Sequence, residues 1–253
     1  MKITVFGAAG WAGRAMLANL KGRHEVRAVD YGPGAWDNLR DVDGDWDGET
    51  VHADICDYEG VHAAVEGSDA VIHAAVYSAR SGDGGYGPAN DQSYLVNLKG
   101  LYNVLEASHL LEVGRIVHIG SCHVEHPKGV FFDSEVRRPD GSLYAVHKRL
   151  QEEMCRQMHE AFGLSIVVLR PCYIVDSRLG LGKSGYDLRG RWNTGWVCRH
   201  DLAEACRLAV EREGLELEVL NMAGAEEADA FCNRRYGMEV LGLEYRGDLD
   251  QYR

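Results

Sequence analysis

The stretch Gly7-Ala-Ala-Gly-Trp-Ala-Gly13 (GAAGWAG) decides the fold, because it joins a short apolar run, Ile3–Phe6, to a helical pattern that starts at Ala12. Glycines let the backbone turn tightly and come close to a ligand, and a helix N-terminus offers free N–H groups and partial positive charge. A simple glycine-rich turn is the alternative interpretation. The position between a strand and a helix favours a loop that binds the pyrophosphate of a dinucleotide.

Asp30 ends the second predicted strand, 23 residues after Gly7. A carboxylate at this point accepts hydrogen bonds from both hydroxyls of an adenosine ribose and repels a 2′-phosphate. The neighbouring Tyr31 offers no cation to a phosphate. Taken alone, Asp30 is more typical of a turn residue at a strand end. Combined with the glycine loop, it predicts NAD rather than NADP as the ligand.

Apolar strands alternate with helical patterns along most of the chain. This alternation predicts an α/β fold with a doubly wound, Rossmann-type parallel sheet and helices on both faces. Ligands of such sheets bind beyond the carboxyl ends of the strands. We also predict loops over residues 31–49 and 176–196, and a last helix over residues 225–236.

The expected domain organisation is a single Rossmann-type domain over residues 1–253. Within it, residues 1–170 form mainly the NAD-binding core, and residues 171–253 form mainly a small substrate-binding portion. No repeat or linker interrupts the pattern.

Composition excludes several classes of protein. Lys and Arg number 27 against 39 Asp and Glu, a formal net charge of −12, which disfavours nucleic acid and anionic membrane surfaces as partners. No apolar run approaches the roughly 20 residues of a spanning helix, and the first apolar run is too short for a signal peptide. The seven cysteines include no Cys-x-x-Cys pair, which is typical of reduced thiols in a cytoplasmic protein.

A second motif, Tyr144-Ala-Val-His-Lys148, opens a strong helical pattern. Residues four apart share a helix face, so the phenol and the ammonium can meet in one site. A free tyrosine has a pKa near 10, and lowering that pKa by about 3 units needs roughly 4 kcal/mol of preferential phenolate stabilisation. The Lys148 ammonium can contribute to this, and Ser121, at the end of the fifth strand, can orient a reacting hydroxyl. We therefore predict Ser121, Tyr144 and Lys148 as the catalytic residues.

With these motifs in this order, the chain resembles the extended short-chain dehydrogenase/reductase family, in its NAD-dependent epimerase/dehydratase group. The matching stretches are GAAGWAG at 7–13, HADICD at 52–57, VIHAA at 71–75, NLKGLYNVLEAS at 97–108, IVHIGS at 116–121, YAVHK at 144–148, LRPCYIV at 169–175 and RHDLAEA at 199–205.

The resemblance implies that Asp54 and Ile55 border the adenine, that Lys148 also holds the nicotinamide ribose, and that Asn97 lies in a helix behind the site. It also implies a homodimer formed through a four-helix bundle. The expected cofactor contacts are Gly7, Ala9, Gly10, Trp11, Ala12, Gly13, Asp30, Asp54, Ile55, Ala74, Ala75, Asn97, Tyr144, Lys148 and Pro171.

Within this group the chain is similar in size and local motifs to the uronate dehydrogenases, which oxidise a free sugar acid. The resemblance implies substrate contacts at Ser78, Ser121 and His123, and a clamp on the substrate carboxylate at Arg191, since a guanidinium binds a carboxylate with two hydrogen bonds. Cys122 stands where those enzymes carry an asparagine that contacts the sugar. The cluster from Cys122 to His126 is bunched on one loop, so we expect substrate-loop residues there and no metal.

The sequence therefore predicts an NAD-dependent oxidoreductase of a small polyhydroxylated substrate, with a free sugar or sugar acid favoured. Two alternatives remain open at this point. One is a nucleotide-sugar epimerase or dehydratase that keeps its NAD tightly bound. The other is a non-catalytic regulator that senses the dinucleotide.

Overall fold

The computed structural model describes residues 1–77, 88–124 and 141–253, of which residues 88–90 are described by their backbone only. In this part of the chain seven parallel strands form one sheet, in the order β10-β6-β5-β4-β1-β2-β3. The Rossmann-type fold class predicted from the sequence is confirmed. The strands are β1 (Lys2–Phe6), β2 (Glu25–Asp30), β3 (Glu49–His52), β4 (Ala70–His73), β5 (Arg115–Ile119), β6 (Ile166–Pro171) and β10 (Leu217–Met222).

The chain segment that follows β6 forms a second, smaller sheet of three strands. Its strands are β7 (Tyr173–Asp176), β8 (Leu181–Gly182) and β9 (Trp196–Cys198), with β7 in the centre. Strand β7 pairs antiparallel with β8 and parallel with β9.

Helices cover the sheet and connect its strands. They are α1 (Trp11–Leu20), α2 (Arg40–Asp43), α3 (Tyr58–Val65), α4 (Pro88–Tyr94), α5 (Gly100–Leu110), α6 (Leu143–Phe162), α7 (Arg199–Glu211) and α8 (Arg234–Leu241). A π-helical turn, Leu95–Lys99, joins α4 to α5. No helix in the described ranges is long and apolar enough to cross a membrane.

Alternate residues of the strands bury into two different helix layers. Ile3 and Val5 of β1 pack with α1 and α7, whereas Phe6 packs with α3 and α5. In β5, Val117 joins the first layer and Ile116 faces α5 and α6. Both faces of the sheet are therefore covered, which explains why its strands are almost continuously apolar.

Three predicted segments differ from the structure. Residues 31–49 hold a 3₁₀ helix, Pro33–Leu39, and α2 instead of a plain loop. Residues 176–196 contain β8 and the first residue of β9. The helix predicted over 225–236 is instead a 3₁₀ turn, Glu226–Ala230, followed by α8, because the Asn233 side chain caps the new helix by accepting from Tyr236 N at 3.2 Å.

Two fully buried histidines face each other across adjacent strands. His73 of β4 is in register with His118 of β5, and their Nδ1 atoms are 3.0 Å apart. This contact requires one ring to donate and the other ring, which must be neutral, to accept. Burial lowers the pKa of His73 to about 3 and also lowers the pKa of His118.

This pair predicts a loss of stability in mild acid. Between pH 6.5 and pH 3, His73 binds a proton in the unfolded chain but stays neutral in the folded protein. The free energy of unfolding therefore falls as pH falls. From pH 7 to pH 5 we expect a loss of about 2 kcal/mol from His73 alone. Urea unfolding at both pH values measures this loss. His73→Asn should reduce the difference between the two pH values, whereas exposed His52→Asn should leave it unchanged; equal differences in the two variants would contradict the prediction.

Candidate active site

The loop between β1 and α1 is built by contacts between backbone atoms. Gly7 has φ +77°, and a Cβ placed there would lie 2.6 Å from Ala75 N. A Cβ on Gly13 would lie 2.2 Å from Gly7 O. Gly10 precedes α1 as its N-cap, with extended backbone that other residues can adopt. The first and last glycines are thus required by space, and they let α1 start directly at the edge of the sheet.

Asp30 stands at the carboxyl end of β2 and braces this loop. Its Oδ2 accepts from Ala9 N at 2.9 Å, and its Oδ1 accepts from Tyr31 N at 2.9 Å. Burial raises the pKa of Asp30, while these two N–H groups act in the opposite direction. Each oxygen keeps a free lone pair, so the carboxylate can still accept from a pair of ribose hydroxyls.

A cavity of about 660 Å³ opens along the carboxyl ends of the strands. Its size is that of a cofactor site. Fourteen of the fifteen predicted cofactor contacts line it, namely Gly7, Ala9, Gly10, Trp11, Ala12, Gly13, Asp30, Asp54, Ile55, Ala74, Ala75, Tyr144, Lys148 and Pro171.

These residues fit NAD in both shape and chemistry. The Gly7 and Gly13 positions leave no room for side chains between the loop and its neighbours, so a pyrophosphate can approach the backbone N–H groups. Asp30 supplies acceptors for a ribose, and Ile55 offers an apolar, buried contact.

Asn97 is the predicted cofactor contact that does not line the cavity. It lies in the π-helical turn, and its amide pairs with the Tyr77 backbone through Tyr77 N→Oδ1 at 2.8 Å and Nδ2→Tyr77 O at 2.9 Å. Tyr77 itself lines the cavity. Asn97 thus holds the wall of the site from behind.

Two of the three predicted catalytic residues, Tyr144 and Lys148, line one end of the cavity, and Ser121 lies beside Tyr144 without lining it. Tyr144 and Lys148 share a face of α6, with the Lys148 ammonium 5.9 Å from the Tyr144 ring centre. Ser121 follows β5 and hydrogen-bonds Tyr144. Ser121 Oγ also lies 3.1 Å from Nδ1 of His123, whose ring is perpendicular to that of Tyr144 at 5.4 Å. Two reactive hydroxyls and an imidazole thus converge beside a buried cation.

The electrostatics of this end are dominated by burial. Burial raises the pKa of Tyr144, and the hydrogen bond from Ser121 opposes that rise. Burial, reinforced by the charge of Lys183, lowers the pKa of Lys148 to about 7. Lys148 donates to Ile119 O at 2.8 Å, which fixes the ammonium against the end of β5.

Helix α6 holds its position through a buried ion pair with β6. Glu152 lies one turn beyond Lys148, and its carboxylate receives two hydrogen bonds from Arg170, from Nε at 2.8 Å and from Nη2 at 2.5 Å. Ser142 caps the helix by accepting from Ala145 N at 3.3 Å. The register of Tyr144 and Lys148 is therefore set by groups on both sides.

The predicted substrate residues are brought together only in part. Ser121 and His123 lie beside Tyr144, whereas Cys122 is 1% exposed and packs inward with Cys172 and Cys232. Hydrogen bonds from Cys172 and His123 lower the pKa of Cys122 to about 6. Cys122 is therefore a buried neighbour of the site and does not line the cavity.

Arg191 is not brought to the cavity either. Its side chain is exposed, and its guanidinium lies 5.8 Å from the ring centre of Tyr186. Ser78 lies outside the described residues.

The cavity-lining residues that were not predicted from the sequence include Tyr77, Gln92, Cys172 and Lys183. Cys172 directly follows the predicted contact Pro171, and this adjacency was the available signal. Lys183 is a single cation in a glycine-rich segment, which carries no pattern. In the described ranges no group of three or more His, Cys, Asp or Glu side chains is arranged to hold a metal ion.

The parallel sheet, the glycine loop and Asp30 define a dinucleotide-binding protein of the Rossmann type. The chain belongs to the NAD-dependent epimerase/dehydratase family, whose model matches residues 3–178. This membership confirms the predicted resemblance and the prediction of NAD as the cofactor.

Curated relatives are about 30% identical to the chain over the aligned residues. It is 29% identical over 184 residues to L-arabinose 1-dehydrogenase (NAD(P)(+)) from Haloferax volcanii, a match covering 67% of this chain and 65% of that protein. It is 31% identical over 172 residues to uronate dehydrogenase from Agrobacterium fabrum, covering 67% and 60%. The chain thus spans less than two thirds of the length of these relatives.

Solved structures also match over the whole chain. The crystal structure of uronate dehydrogenase from Agrobacterium tumefaciens superimposes with a TM-score of 0.76 at 25% identity, covering 100% of this chain and 86% of that one. The two chains therefore share their fold.

The close approach of Gly13 to Gly7 yields a test of the loop. We expect Gly13→Ala to lower the free energy of unfolding by about 3 kcal/mol, because the added Cβ meets rigid backbone. NAD affinity should fall with it. Gly10→Ala, whose Cβ would lie 3.2 Å from Gly7 O, should cost about 1 kcal/mol or less. Urea unfolding and NAD titration measure both effects, and equal losses in the two variants would contradict this account of the loop.

Proposed function

We propose that this protein is an NAD-dependent oxidoreductase that oxidises a hydroxyl group of a small, free polyhydroxylated substrate, a sugar or a sugar acid. The observation that carries the proposal is that Tyr144 and Lys148 line one end of a cavity that begins at the glycine loop, with Ser121 beside Tyr144. Both curated relatives described above act on free sugars or sugar acids by name, which supports this substrate class.

The chain's own residues handle the proton. Tyr144 Oη accepts the proton of the substrate hydroxyl, so the phenolate is the active form in oxidation. The Lys148 ammonium stabilises that phenolate, and the low dielectric of the buried site strengthens the attraction. Ser121 hydrogen-bonds the reacting oxygen and holds it within reach of Tyr144. NAD, when bound, supplies the nicotinamide ring that accepts the hydride from the substrate carbon that bears the reacting hydroxyl.

The arrangement also supports a division of labour along the chain. We propose that residues 1–170 supply mainly the NAD-binding core and that residues 171–253 supply mainly the substrate side. Within the latter, α7 packs on α1 and β10 joins the main sheet, so the substrate side is concentrated in β7, β8 and β9 with their loops. We place the protein in the cytoplasm, a proposal supported by its seven free cysteines.

Tyr144→Phe tests the proposed chemistry. Removing the phenol should reduce NAD⁺ reduction by about 100-fold or more, because no group is left to take the proton, while NAD affinity stays the same. Tyr236→Phe is the matched control, since its hydroxyl contacts Glu218 on the surface. Turnover is followed as NADH formed with free sugars, uronates and polyols.

The same assay separates the alternatives. Turnover of nucleotide sugars without net NADH would overturn the proposal in favour of an epimerase or dehydratase. A Tyr144→Phe variant that behaves like the wild type in every respect would point to a dinucleotide sensor.

We further propose a homodimer formed through α5 and α6. Large apolar side chains are exposed on these helices and on the segment leading into α5, and a second copy would cover them. They are Tyr94, Leu95, Tyr102, Leu110, Leu150 and Phe162.

Light scattering after size-exclusion chromatography tests the dimer. Leu150→Glu should yield a monomer, because it buries a charge at the proposed interface. Leu179→Glu, at another exposed leucine in the β7–β8 connection, should leave the mass unchanged. A wild-type monomer, or a Leu150→Glu dimer, would contradict the proposal.

A further inference from the structure

Lys183 occupies the tip of a tight turn that follows β8. Gly185 N donates to Gly182 O at 2.8 Å, and Gly182 N donates to Tyr186 O at 2.8 Å. The Tyr186 ring packs directly on Gly182, where a Cβ would come within 2.0 Å of it. Gly185 has φ +77°, which the turn requires. The backbone that carries Lys183 is therefore held in one conformation.

Lys183 is exposed and borders the cavity. Lys183 lines the same cavity as Tyr144, Lys148 and Cys172. Burial lowers the pKa of Lys148, and charge repulsion from Lys183 contributes to that lowering. Burial lowers the pKa of Lys183 itself.

Neither cation is neutralised by a carboxylate in the described part of the chain. Lys148 is held by a backbone carbonyl, and no acidic side chain influences Lys183. The acidic residues that line the cavity, Asp30 and Asp54, follow β2 and β3. Those strands are at least three positions from β5 in the sheet, a separation of about 14 Å or more. A chain with a net charge of −12 thus places two lysines, neither of them paired with a carboxylate in the described residues, along the same cavity.

Arg191, the cation that the sequence predicts to bind a substrate carboxylate, does not line the cavity. Arg191 is exposed and rests near Tyr186, outside the cavity lining. The turn that holds Tyr186 therefore presents Lys183 to the cavity while Arg191 remains at its outer side.

We propose that Lys183 determines substrate specificity by binding the carboxylate of an acidic sugar at the catalytic end of the cavity. This inference rests on the proposed function and chooses between the substrate types of the two curated relatives, one named for a neutral sugar and one for uronates. An ammonium in a partly desolvated site attracts an anion strongly, and a carboxylate held there would offset the repulsion between Lys183 and Lys148. The same contact would orient the sugar toward Tyr144.

Steady-state kinetics with D-glucuronate and with neutral L-arabinose test the proposal. Lys183→Met should raise KM for glucuronate by about 10- to 100-fold, the loss of one charge-assisted hydrogen bond. KM for arabinose and the Kd for NAD should change less than about twofold. Lys183→Arg should retain most of the glucuronate affinity, and Ser184→Ala, in the same turn, should match the wild type.

A binding measurement separates failure of this inference from failure of the proposed function. Calorimetric titration of glucuronate into the protein saturated with NADH reports carboxylate binding without turnover. Weaker binding in Lys183→Met than in Ser184→Ala supports the proposal even if neither sugar is oxidised. Equal binding in the two variants overturns it. An equal loss for glucuronate and arabinose, or a weakened NAD affinity, also overturns it by assigning Lys183 a structural or cofactor role.

Discussion

The closeness of the backbone at Gly7 and Gly13 is the constraint on which the rest of the site depends. With no side chain at either position, β1, the start of α1 and the segment after β4 meet within van der Waals distance. The helix N-terminus then points along the cavity instead of being pushed away from the sheet. The other parts of the cofactor site take their positions from this junction. Asp30 accepts a hydrogen bond from Ala9 N of the loop, and the residues after β4 form the opposite wall of the cavity.

A buried arginine secures the same junction from the opposite side. Arg199 is 2% exposed, and its guanidinium lies 4.2 Å from the centre of the Trp11 ring. It donates to Asp176 at 2.6 Å and to both oxygens of Asp43 at 2.6 and 2.7 Å. These contacts tie the first turn of α1 to α2 and to the small sheet. A buried charge is tolerated here because all its partners are charged or polar and well placed.

The electrostatics at the end of the cavity that holds Tyr144 and Lys148 differ from those at the glycine loop. Lys148 and Tyr144 are both buried, and burial favours the neutral form of each. It therefore raises the pKa of Tyr144 and lowers the pKa of Lys148. A phenolate facing an ammonium is then a strongly attracting pair, provided that water stays out. Specificity is left to the turn after β8, in keeping with the rule that loops on a rigid sheet carry the variable parts of a site.

What the sequence by itself determined are the features that arise from local spacing. The glycine loop, the strand–helix alternation and the four-residue interval between Tyr144 and Lys148 each act within a few residues, so their consequences for the fold and for part of the cavity lining could be predicted. The N-cap at Asn233 was also a local signal. The prediction of the last helix followed the apolar pattern instead, and therefore placed the start of that helix too early.

Tertiary structure alone decided which side chains reach the cavity from distant segments. Asn97 hydrogen-bonds the Tyr77 backbone, and Cys122 packs in the interior with Cys172 and Cys232. Lys183 lines the cavity, whereas Arg191 does not. Each outcome depends on the direction in which a loop leaves the sheet and on the packing of its neighbours. Such directions are set by contacts between residues far apart in the chain, which residue spacing does not encode.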